Sequence, residues 1–103
     1  MIALPPPLTL SFPLTHPAFA GHFPGHPVVP GVLLLSAAID ALQSASGRRV
    51  TQITAAKFLQ PVGPGIALTL SFRSGGARVH FDIEAPAFKV ASGTLTLAAE
   101  AAP

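Results

Sequence analysis

The sequence predicts an α+β domain in which one hydrophobic helix lies inside a curled antiparallel sheet. Three observations carry this. A single segment, 31 to about 44, has helical length, helical spacing and no internal proline. The segments after it switch to period-two alternation and are separated by glycine- and proline-rich turns. Before it stand one short alternating stretch and a loop too rich in proline to be helical.

The elements follow in chain order. Leu8, Leu10 and Phe12 alternate with Thr9 and Ser11, which reads as a strand with one face buried. Residues 13–30 form the loop, ending in "GHFPGHPVVPG". From Gly31, residues Leu34, Leu35, Ala38, Ile39 and Leu42 make an apolar stripe, and Val32, Leu33 and Ala37 extend it around the helix. A helix apolar on most sides is expected to be central and wrapped, and Gly47 is expected to stop it. Val50 to Leu59 is the next candidate strand, closed by "QPVGPG". Ile66, Leu68, Leu70 and Phe72 form another, and "SGG" at 74–76 signals a hairpin. Val79, Phe81 and Ile83 then face one way, with His80, Asp82 and Glu84 on the other side. Phe88 and Val90 continue the alternation, but Leu95 and Leu97 have the opposite parity, so a bulge is expected near Gly93.

A chain of 103 residues sets the expectation of one domain over 1–103. Half the residues are hydrophobic and 10% are charged, against the usual quarter. Such a surface predicts apolar area hidden against another subunit, hence a homodimer or higher oligomer. No run reaches the length of a membrane span, and "MIALPPPLTL" lacks the basic start of a secretory signal, so a cytoplasmic location is expected. There is no cysteine, which excludes thiolate chemistry and cysteine-bound zinc. The net charge of +2 and the lack of Trp and Tyr argue against nucleic-acid binding.

Two features carry chemistry. His22 is held among Pro24, Pro27 and Pro30, and an immobilised imidazole suits a general base. The competing reading is a histidine that merely packs its loop. Pro30 and Gly31 open the helix and leave its first amides bare at the positive end of the dipole, where an oxyanion can be held. The set His16, His22 and His26 does not read as a metal site, because prolines separate the rings and no nearby carboxylate completes it. Of the four acids, Asp82 and Glu84 read as a solvated strand face and Glu100 as tail. Asp40 alone stands on the helix.

These residues also carry a family resemblance. "GHFPGHPVVPGVLLL" resembles the signature loop and helix of hot-dog-fold 3-hydroxyacyl-acyl-carrier-protein dehydratases. "ITAAKFLQPVGPG" and "RVHFDIEAPAFKVASGTLTLA" are similar to later parts of that family, so the likeness runs over about residues 8 to 98. The short chain also looks like the small dehydratases of aryl-polyene clusters. The resemblance implies a dimer with its active site at the interface and no cofactor. It implies His22 as the base that takes the C2 proton of a (3R)-3-hydroxyacyl thioester. It implies the Gly31 amide as the group that polarises the thioester carbonyl. Phe23, Pro30, Val32 and Leu35 are the expected substrate contacts along an acyl tunnel. The substrate would arrive on an acidic acyl carrier protein, with Arg48, Arg49 and Lys57 as docking candidates.

One position departs from the family. Its acid stands fourteen residues after the histidine, on the helix of the other protomer, and here that position is Ser36. Loss of a general acid costs about a hundred- to ten-thousand-fold. Asp40 lies one turn further along the same helix face, a displacement of about 5–6 Å. Three expectations follow: an active dehydratase, a non-catalytic partner subunit with a disarmed site paired to an active paralogue, or an acyl thioesterase.

Overall fold

The computed structural model describes residues 3–13 and 28–99. The expectations for His16, His22, Phe23, His26 and Glu100 lie outside these residues. Five strands and one helix follow in the order β1 (Leu8–Leu10), α1 (Gly31–Ser46), β2 (Val50–Phe58), β3 (Leu68–Gly75), β4 (Arg78–Glu84) and β5 (Lys89–Leu97). The strands make one antiparallel sheet in the order β1-β3-β4-β5-β2. The α+β class and its single helix are as the sequence predicts.

The core lies between α1 and the inner face of β3, β4 and β5. Leu70, Val79, Phe81, Ile83 and Leu95 are at most 1% exposed. Each such side chain contributes about 1.5–3 kcal/mol when fully buried. Only one stripe of the helix is fully buried, Leu34, Ala38 and Leu42, while Leu35 and Ile39 pack at its margin. The wrapping expected of an all-round apolar helix is therefore half complete in one chain. Val32 is 67% exposed, and Ser36 and Asp40 follow it on the exposed side at four-residue spacing.

Helix α1 runs two residues beyond the expected Ser44. It stops where expected: Gly47 takes a left-handed φ of 68° and donates its amide to the Gln43 carbonyl. Gln43 also ties the helix to the sheet, its Oε1 accepting from the Val50 amide at 2.9 Å. The first strand is shorter than its alternation suggests. Phe12 lies beyond β1, half-buried against the core, and its carbonyl accepts from the Gly65 amide at 2.9 Å. Ile66 and Phe88 stand just outside the strands expected to hold them.

The expected bulge is three residues away from Gly93. Ile83 pairs with Ala91 and Glu84 with Lys89, so Val90 is the inserted residue. The parity of β5 changes there, and pairing continues unbroken through Gly93 opposite Phe81. Gly93 serves close packing instead. A Cβ there would lie 2.5 Å from the Ala55 carbonyl oxygen and 2.6 Å from the Phe81 ring. Two further insertions, at Thr51 and Thr54, bend β2. The Thr54 and Thr96 hydroxyls meet at 3.1 Å beside the second.

Candidate active site at the start of the helix

The proline-rich entry sets the helix start. Pro30 is the N-cap residue, with extended φ of −59° and ψ of 139°, and among the described residues no side chain caps the helix. Its carbonyl accepts from the Leu33 amide at 3.0 Å. Among the described residues, the amides of Gly31 and Val32 have no hydrogen-bond partner. The first turn also holds no acidic side chain to satisfy the dipole. The preceding segment is fixed to the turn after β2, the Val29 amide donating to the Val62 carbonyl at 2.8 Å.

An apolar cleft of about 460 Å³ opens here, lined by Val28, Val29, Gly31, Phe58, Pro61 and Val62 together with Gln60. Phe58 closes directly over Gly31. A Cβ at Gly31 would fall 2.8 Å from its ring, so only glycine admits this contact. An uncapped helix start beside an apolar cleft suits a ligand with an apolar tail and a carbonyl oxygen that gains negative charge.

The expected site residues divide around this cleft. Gly31 lines it. Pro30, Val32 and Leu35 do not line it, and Leu35 packs toward the core. Ser36 and Asp40 face outward on α1, turned away from this chain's own core. Lys57 immediately precedes Phe58 at the cleft end of β2. Arg48 and Arg49 follow the other end of α1, a helix length or about 23 Å from Gly31. Phe58, Pro61 and Val62 were not foreseen from the sequence. Phe58 could have been found as a large aromatic residue ending a strand beside "QPVGPG".

One helix packed against a curved, five-stranded antiparallel sheet is the hot-dog arrangement. Comparison with known proteins gives the same result. The family model described as ApeI dehydratase matches residues 7–94, and the chain belongs to this ApeI-like family. The 3-hydroxyacyl-[acyl-carrier-protein] dehydratase FabZ of Thermus thermophilus is 37% identical over 101 residues, covering 84% of this chain and 71% of its own. FabZ of Chlamydia trachomatis is 43% identical over 68 residues, covering 55% of this chain and 44% of its own. Among solved structures, the dehydratase heterocomplex ApeI:P from Xenorhabdus doucetiae superposes with a TM-score of 0.79 at 26% identity, covering 88% of this chain and 84% of that one. An uncharacterized protein from Erwinia carotovora gives 0.78 at 28% identity, covering 89% and 81%.

Proposed function

We propose that the protein dehydrates a (3R)-3-hydroxyacyl thioester, carried by an acyl carrier protein, to the trans-2-enoyl thioester. The observation that carries this reading is the bare helix start at Gly31, facing an apolar cleft under Phe58. In the reaction, His22 takes the C2 proton. The negative charge passes to the thioester oxygen, which the Gly31 amide stabilises. The 3-hydroxyl then leaves as water, taking its proton from a helix carboxyl group, Asp40 in a homodimer. The base, the amide and the leaving-group acid are all protein groups, so no cofactor enters, and the work belongs in the cytoplasm with the carrier protein.

The assembly we infer is a dimer formed through β2. This strand ends the sheet, and every residue of it after Val50 is exposed. Ile53 and Phe58, on its helix-facing side, are 45% and 55% exposed. A second hot-dog chain at this edge would continue the sheet and cover the outward stripe of Val32, Ser36 and Asp40.

Ser36 supports a second reading, in which the partner is a different hot-dog chain. The relative from Xenorhabdus doucetiae is named as a dehydratase heterocomplex, ApeI:P. A partner bearing a carboxylate at the matching helix position would complete the site around His22. The partner's own histidine would face Ser36 and gain little. In the homodimer, Asp40 is the only helix carboxylate within a turn of that position.

The test is hydration of trans-2-enoyl thioesters of several chain lengths by wild type and His22→Ala. Turnover by wild type that His22→Ala loses supports the dehydratase. Release of free thiol without hydration identifies a thioesterase instead. Equal inertness of both proteins in the homodimer, with activity on addition of a carboxylate-bearing paralogue, assigns the partner role.

A further inference from the structure

The outer face of the sheet carries a second polar cluster, unconnected with the helix start. Two rows run across the strands. Arg73, His80, Thr94 and Ala55 stand side by side in one, and Ser71, Asp82, Ser92 and Lys57 in the next. Small residues form the floor, while Arg73 and Lys57 stand at opposite corners. Their backbones are about 16 Å apart, three strand spacings across and two residues along, a gap that two long cationic side chains can close around a small anion.

The side chains are already organised. A cavity of about 280 Å³ lies between Lys57, Arg73, Lys89, His80, Asp82 and Thr94. Thr94, only 8% exposed, holds the imidazole through its hydroxyl, 2.9 Å from His80 Nδ1, which leaves Nε2 for another partner. Asp82 draws in two cations, Lys89 at 3.0 Å and Arg73 at 3.7 Å through Nε. The Arg73 contact leaves its terminal guanidinium nitrogens available, and among the described residues Lys57 has no ionic partner.

The charge favours an anion. Arg78 and Glu84 share this face with the groove residues. Its four cations and two carboxylates leave a surplus of two positive charges, which equals the formal net charge of the whole chain. Guanidinium, ammonium and imidazole donors line one small cavity, the Thr94 hydroxyl donating to His80 Nδ1 so that Nε2 carries the proton, and together they match a tetrahedral oxyanion, which accepts from several directions at once.

We propose that this outer-face groove binds an oxyanion of the phosphate class, held by Arg73, Lys57 and Lys89 with His80 and Thr94 beneath it. The site does not depend on the dehydratase reading, because it shares no residue with the cleft at Gly31.

The probe is inorganic phosphate, titrated into the isotopically labelled full-length protein and followed by NMR, with sodium chloride of matched ionic strength as control. Saturable shifts centred on residues 57, 73, 80, 89 and 94 are expected, weakened about tenfold or more in Lys57→Ala/Arg73→Ala. Arg48→Ala/Arg49→Ala removes the same charge elsewhere and is expected to leave the affinity unchanged. The proposal is overturned if chloride reproduces the shifts. It is equally overturned if both double variants weaken binding alike, or if no saturable binding occurs.

Discussion

Gly31 occupies a position where a methyl group fits only if the Phe58 ring moves. Its replacement by alanine would drive Cβ into the Phe58 ring at 2.8 Å and displace the ring from the cleft. Gly31→Ala is therefore expected to lower stability by less than about 1 kcal/mol, because the Phe58 ring is 55% exposed and can turn aside. Thermal unfolding measures this, and Gly31→Ala/Phe58→Ala should recover part of the loss. Recovery of none would place the cost in the helix backbone instead of the ring contact. Gly93→Ala meets an unyielding neighbour, the Ala55 carbonyl of the adjacent strand, and is expected to destabilise at least as much. Asp82 behaves differently. Its cationic partners are largely solvated, Arg73 at 71% and Lys89 at 46% side-chain exposure, so Asp82→Asn should cost less than about 1 kcal/mol in a denaturant titration.

Among the elements, β2 and α1 carry the consequences of an unfinished surface. The edge strand exposes both faces, and its helix-facing side chains Ile53 and Phe58 are only partly covered in one chain. Ile53→Asp places a charge on that side and should shift the inferred dimer to monomer in sedimentation experiments. Persistence of the dimer would move the interface elsewhere. This same strand explains where the sequence was legible and where it was not. The sequence marks Val50–Leu59 as a strand, but a pattern records which side chains are apolar and not which molecule covers them. The all-round apolar helix is the same case: Leu34, Ala38 and Leu42 face this chain's core, while Val32 awaits another surface. The bulge in β5 was foreseen from the parity change of Leu95 and Leu97. Its place at Val90 was not, since glycine marks both bulges and close approaches, and Gly93 belongs to the second kind.

For the whole molecule, the helix separates two charged or reactive ends. Gly31, Phe58 and Lys57 stand at one end, Arg48 and Arg49 at the other. Arg48 and Arg49 read as docking residues in the sequence because they follow the helix directly. The fold places them remote from their own chain's cleft, and only pairing of two chains could bring them beside the opposite cleft. Charge reversal at Arg48 and Arg49 should then reduce activity with carrier-protein substrates while sparing coenzyme A analogues. Equal loss with both substrates would remove them from docking. Gly31 was legible as the helix start through the proline before it, and it lines the cleft; Ser36, picked out by its spacing from His22, faces outward. The wall formed by Phe58 and Val62 was hidden because it comes from residues 27 and 31 positions away from Gly31 in the chain.

The central claim is that this fold presents a dehydratase site limited by the serine at position 36. Turnover of a 3-hydroxyacyl thioester by wild type, Ser36→Glu and Ser36→Asp tests it most directly. The account predicts slow turnover by wild type and a gain of about a hundredfold or more for at least one acidic variant. Wild-type turnover that neither substitution raises would contradict it and give the proton to another group, with Asp40 the next residue to change.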